Sequence, residues 1–377
     1  MRQKRFKQEG KGKCLAFLVS AAVIITCFTY PYFYFALLRT EFNPNNLIRV
    51  SNFEGHPEAR QGFAVLSGSL VSLQGATLKL QAGDGRTLWQ KELNLQEPFI
   101  AAFGETIVAA DMKNGEIYGL DRLGRNLWVS KPVGGIIRMG VDKEHVWMRT
   151  RHEELAIVEV LDKDGKESAY LQVGEAEVTG VSVSRDGSLI ALSAAGVKEG
   201  SITGSAVLYK RDGAIVWAKA YRDSLVMGIK ITNDGDVLVL TETALFSLSA
   251  GGDINWQRNI AGYILRALFT DDGTVALTLA GDYRSQIPGK TEQETVLYDK
   301  KGNDLVRIAH DGEIIGLAEG QGCIGMYSAR KLQVVPISGG DIVDKKFDRD
   351  LMAVYLLEDG FMAYISAGKI YFEPVAG

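Results

Sequence analysis

The residues of this 377-residue chain that could do chemistry are few and dispersed. Asp162, Asp164 and Glu167 alternate along the string DKDGKE, a spacing at which carboxylates can begin to wrap a calcium ion. An EF-hand loop, however, sets oxygen ligands at positions 1, 3 and 5, glycine at 6 and glutamate at 12. Here Gly165 falls at position 4, where it reads as the glycine of a hairpin turn. His145 and His152 are seven positions apart; His152, beside Glu153 and Glu154, reads as part of a solvated polar loop, and zinc would need further ligands that the sequence does not supply. Of three cysteines, Cys14 and Cys27 lie in one apolar run, and Cys323 reads as a small buried apolar side chain. No G-x-S-x-G elbow, P-loop or H-E-x-x-H occurs. No catalytic, cofactor-binding or metal-binding set can be assigned, although a site assembled from distant segments stays open.

The elements that would have to assemble such a site repeat. Trp89, Trp128, Trp217 and Trp256 each stand four residues after a glycine, in GDGRTLW, RLGRNLW, RDGAIVW and GGDINW. Including places without the tryptophan, the turn glycines are Gly85, Gly124, Gly165, Gly213, Gly252, Gly302 and Gly340, spaced about 42 residues apart, the period of a four-stranded propeller blade. Asp-Gly and Gly-Gly between β-rich runs mark hairpins. A second series of β-rich runs, out of phase, covers 106–110, 145–149, 188–192, 236–240, 274–279, 323–327 and 361–365. Two hairpins per period make four strands, and the aromatic after each glycine should pack between neighbouring sheets.

The segment 62–73 opens a first repeat, and 351–357, 361–365 and 369–372 supply three strands of an eighth. The extended run 47–51 (LIRVS) is placed to complete that last blade, since a propeller must close its ring to protect its edges. The expected fold is therefore all-β: an eight-bladed β-propeller over 47–377, with seven blades as the alternative.

The string GLDRLGRNLW, 119–128, resembles the repeat of the pyrroloquinoline quinone (PQQ)-like propellers, in which a Leu-Asp pair, a turn glycine and a downstream tryptophan recur in each blade. KLQAGDGRTLW and VLYKRDGAIVW carry the resemblance more faintly, and it extends weakly over 47–377. The family includes quinone-dependent dehydrogenases and non-enzymatic relatives such as the outer-membrane assembly lipoprotein. Its enzymes need a calcium and quinone cage with a catalytic aspartate and commonly an adjacent cysteine pair; no Cys-Cys pair occurs here. The layout of one anchor and one degenerate propeller also looks like uncharacterised membrane-anchored propeller proteins of Gram-positive bacteria.

That anchor is read from 14–38, 25 residues without a charge. As a helix it would extend about 37 Å, enough for a hydrocarbon core of about 30 Å. Arg2, Lys4, Arg5, Lys7, Lys11 and Lys13 precede it against the single acid Glu9, so 1–13 is expected to be a cytoplasmic tail and the propeller extracytoplasmic. The apolar run continues into bulky aromatics from Phe28 to Phe35, unlike the small residues of a signal-peptide cleavage site. Residues 39–46 form a polar linker. From residue 14 onward 36 basic residues face 45 acidic ones, a net charge of −9, which removes the electrostatic case for nucleic acid.

In four-stranded blades the connections between second and third strands share one face with the connections between blades. Two of the former are long: 194–205 in blade four and 280–294 in blade six. Insertions on one face of a repeat array often mark its binding side. Lys198, Glu199, Tyr283, Arg284 and Gln286, joined by Arg151 and His152 of blade three, are the candidate binding residues. The expectation is a non-catalytic binding or scaffolding module, single-pass in the cell membrane, that engages a protein or cell-envelope component without a cofactor. The rival readings are a PQQ-like enzyme and a ligand sensor, each using the central channel.

Overall fold

The structure, a computed structural model, describes residues 61–376 apart from 133, 153–154, 175, 199–200 and 282–292. They belong to the second of two compact units, Ile48–Gly377. The expected tail, membrane span, linker and 47–51 strand lie outside the described residues. Among the described residues no helix is long and apolar enough to cross a membrane.

Eight antiparallel sheets follow one another along the chain, at 61–92, 98–130, 135–174, 177–222, 226–259, 263–310, 314–346 and 353–374. Seven have four strands in sequence order, and the eighth has three among the described residues. First strands of most successive sheets pack against each other, which puts them around the axis. Second strands such as Val237–Thr241 and Val275–Ala280 are buried along their whole length. Both their faces are covered, so they read as continuous apolar runs rather than alternating ones. Outer strands such as Thr87–Glu92 are open on one face and half-covered on the other. Blade eight closes on blade one: Phe63 and Leu70 pack with Tyr355, Ala363 and Ile365, the Phe63 and Tyr355 rings lying 5.9 Å apart. The ring is an eight-bladed β-propeller.

The glycine–tryptophan pattern is the joint between blades. Each of the four indoles lies on the third-to-fourth-strand turn of the next blade: Trp89 on Gly124, Trp128 on Gly165, Trp217 on Gly252 and Trp256 on Gly302. The turn itself is fixed by aspartate where one is present. Asp121, Asp162 and Asp299 each accept two backbone N–H bonds from their own turn, for example Lys301 and Asn303 to Asp299 at 2.9 and 2.7 Å. The DKDGKE string is thus a hairpin in which Asp162 caps the backbone.

Three indoles donate to a turn carbonyl: Trp89 to Arg122 at 2.6 Å, Trp128 to Lys163 at 2.9 Å and Trp256 to Lys300 at 2.9 Å. The Nε1 of Trp217 is buried without a partner. At Gly302 φ is +76° and a Cβ would stand 2.7 Å from the Trp256 ring, so no other residue fits there without strain. Gly302→Ala should therefore destabilise by at least about 2 kcal/mol, adding left-handed strain to a clash. Trp256→Phe should cost about 1 kcal/mol more than Trp217→Phe, because only the first loses a hydrogen bond. Chemical denaturation of the three variants checks both orders.

Candidate functional site

The expected loop 194–205 is not a loop. Leu189–Lys198 and Ser201–Lys210 pair without interruption from Leu189↔Lys210 to Lys198↔Ser201, so the long connection is a tall hairpin. β-Rich residues on both sides, Val197 and Ile202 among them, extend the ladder into the long connection. Blade three behaves alike: Arg151 pairs with Ala156 and His152 with Leu155, which places His152 in a strand instead of the expected polar loop. Arg151, His152 and Lys198 thus share one face of the ring by backbone position. Glu199 and the blade-six residues Tyr283, Arg284 and Gln286 lie outside the described residues.

The blade-four hairpin outgrows its sheet. Its last pairing with the inner strand is Glu177↔Ala195, and its last with the outer strand is Gly204↔Tyr221. Beyond that level it is braced on one side only, by Asp223 N–H to Ile202 O at 3.0 Å and Gly204 N–H to Ser224 O at 2.8 Å. Val197 and Ile202 are directly paired across it and are 63% and 46% exposed. The backbone of 196–198 has no neighbouring strand on its other edge among the described residues.

The opposite face, carrying the tight turns, holds a charged cluster that local motifs did not reveal. Lys230 of blade five donates to Asp142 of blade three at 2.7 Å and pairs with Asp271 of blade six at 2.6 Å. Blades three and five are not neighbours, so this contact is possible only where the sheets converge on the axis. Asp142 also accepts from the Ser182 hydroxyl and, at 2.9 Å, from Val183 N–H of blade four. Lys143 donates to Val183 O at 3.1 Å and Ile231 O at 2.6 Å. It does so from a turn with φ +54°, a backbone shape that ordinarily favours glycine. The available sequence signal was a lysine interrupting the apolar inner strand VMGIKI.

Burial alone would raise the Asp142 carboxyl, but the Lys230 and Lys143 ammonium groups outweigh it and hold it below the usual range. Burial keeps Lys143 below the usual lysine range despite Asp142, whereas Lys230, also opposed by burial, is raised by its two carboxylates. Glu319 of blade seven remains open to solvent, yet the surrounding protein mass, with Asp271 added, lifts its carboxyl to about 7. The cluster ties blades three to six at the axis, with one titrating carboxyl facing it.

The remaining chemical residues have structural places. His145 is buried with Nδ1 unpartnered, and desolvation lowers its pKa. Cys323 is half-buried, less enclosed than expected, and burial raises its thiol. Among the described residues no three His, Cys, Asp or Glu side chains are grouped to hold a metal.

Asp142→Asn should destabilise the fold by about 3 kcal/mol in denaturant titration, because two largely buried ammonium groups lose the carboxylate they share and only Asp271 remains beside Lys230. For Glu319 the folded pKa lies above the unfolded value near 4.5, so its stability contribution is full below that pH and lost as pH rises through about 7. Compared with Glu319→Gln, the wild type should lose about 1 kcal/mol between pH 5 and 8, solvent access discounting the full shift.

Solved structures share this fold at low identity. BamB from Moraxella catarrhalis is 15% identical, with a TM-score of 0.52 over 82% of this chain and 94% of that one. The C-terminal WD40 domain of Sif2 is 12% identical, with a TM-score of 0.57 over 85% and 96%. The dihydro-heme d1 dehydrogenase NirN, in complex with DHE, is 13% identical, with a TM-score of 0.51 over 72% of this chain and 61% of NirN. These likenesses concern the fold alone, that of a β-propeller. No curated protein sequence matches the chain. Over residues 45–370, nearly the whole propeller, the sequence matches a defined protein family, and the chain belongs to that family, the family of unknown function DUF5711.

Proposed function

We propose that this propeller is a non-catalytic binding module, held at the outer face of the cell membrane through 14–38, that docks a protein on the face carrying the blade-four hairpin. The observation that carries this reading is the hairpin itself. Ordering a two-stranded projection costs roughly 1–2 kcal/mol of backbone entropy per residue, and an isolated hairpin is at best marginally stable in water. Here the projection is braced against the link to blade five, yet it leaves the Val197–Ile202 pair in solvent. An exposed apolar pair beside an open strand edge suits a partner that adds a strand and covers the pair with its own side chains.

A channel ligand is the second reading, favoured by the neutral-range carboxyl of Glu319 at the axial mouth. Purified ectodomain carrying a stoichiometric quinone or metal would support it and displace the first.

The test of the docking reading is recovery of partners from native membranes by the full chain. Val197→Asp with Ile202→Asp should reduce recovery at least tenfold while leaving the denaturation midpoint within the range of other surface substitutions. Unchanged recovery of every partner would remove the hairpin face from consideration.

A further inference from the structure

The joint between blades six and seven carries no indole. Val306 stands four residues after Gly302, and the atoms nearest Gly340, the turn glycine of blade seven, belong to Pro336 of its own blade. A line of polar side chains crosses this joint instead. Thr278 and Thr295, paired between the second and third strands of blade six and both fully buried, lie Oγ1 to Oγ1 at 2.9 Å. His310 closes the fourth strand, with Nε2 at 2.8 Å from Thr295 Oγ1 and Nδ1 at 3.2 Å from Gln333 Oε1 of blade seven. Gln333 Nε2 donates to Asp344 Oδ1 at 2.9 Å, and Lys331 pairs with the other oxygen of that carboxylate at 3.2 Å.

Every proton in this line has one place. Gln333 and Lys331 hold the Asp344 carboxyl below its usual range, so it is ionised and can only accept. Gln333 therefore turns its NH2 to Asp344 and its oxygen to His310. An amide oxygen cannot donate, which puts the imidazole proton on Nδ1. Nε2 of the neutral ring is then an acceptor: Thr295 donates to it, and Thr278 donates to Thr295.

We propose that His310 is an acid-sensitive latch on the joint between blades six and seven, closed while its ring is neutral and protonated on Nδ1. A second proton turns Nε2 into a donor. Thr295 must then accept from it and swing its own hydroxyl toward Thr278, whose proton loses its acceptor in a place without solvent. The charges around the ring do not compensate. Lys331 opposes a cation, Asp311 of the link to blade seven favours one from an exposed position, and Asp344, with Lys346 beside it, is already engaged by Gln333 and Lys331. Blade six brings only the uncharged Gln293, Thr278 and Thr295 to this side. Burial, with Lys331 added, holds the imidazole below its ordinary 6.5. The unfolded chain takes up the proton first, so the joint is at full strength above that pH and weakens as pH falls below it, until the folded ring is itself charged. This latch is independent of what the blade-four hairpin binds.

Nitrogen NMR of the full chain labelled at its four histidines tests it, with His310→Gln assigning the signal. At about pH 8 the His310 ring should carry its proton on Nδ1 and none on Nε2; a ring protonated on Nε2 would overturn the proposal in the wild type, without any variant. Asp344→Asn frees the Gln333 amide to turn over and should give a mixture of the two tautomers. Hydrogen exchange supplies the second readout. Between about pH 7 and 5 the Ile314 amide, which bonds Gln293 Oε1 at 2.9 Å, should exchange at least threefold faster relative to blades two and three, after correction for intrinsic rates. His310→Gln should remove that response. A wild-type joint that does not respond, or a response that survives His310→Gln, would equally overturn the latch.

Discussion

An indole laid across a neighbour's turn is the contact on which this ring depends. A four-stranded blade has two faces and cannot bury either alone, so each blade is stable only through the blades beside it. The turn glycine allows the ring to approach, the turn aspartate fixes the backbone beneath it, and the outer-strand tryptophan closes the gap. Where the tryptophan is missing the joint is rebuilt from other material: Leu171 is the side chain nearest Gly213, and Phe372 covers Gly85. Degeneracy of the repeat is tolerated because the joint asks for apolar cover over a tight turn and accepts several side chains that provide it.

That tolerance explains what was legible in the sequence. Turn glycines and apolar runs are local signals, so they gave the strand series, the phase and the count of eight. The turn reading of DKDGKE held for the same reason, Asp162 bonding only to its own hairpin. The blade-four connection misled because its length, 194–205, reads as an insertion between two short strands. Pairing across the hairpin, visible only when both arms are laid side by side, decides otherwise. The axial cluster was illegible for a different reason. Asp142 and Lys230 are 88 residues apart, and nothing local marks either as the other's partner.

The two faces of the ring consequently differ in kind. On the turn face, charges are drawn inward and neutralise one another among buried carbonyls, leaving Glu319 as the group whose charge changes near neutral pH. On the other face the chain extends outward in strands whose edges and side chains are left in water. A binding reading follows from the second face, and a rigid frame for it from the first.

Repeat rings are ordinarily chains of nearest-neighbour contacts, in which a unit can be lost, gained or frayed with effects confined to the units beside it. The ammonium of Lys230 and that of Lys143 break this rule by joining blade three to blade five across blade four. Blade four is thereby enclosed: it cannot open without parting a pair of buried charges that belong to its neighbours. Of the eight repeats it is thus among the hardest to duplicate, delete or exchange in evolution, and it is the repeat that raises the tallest hairpin among the described residues.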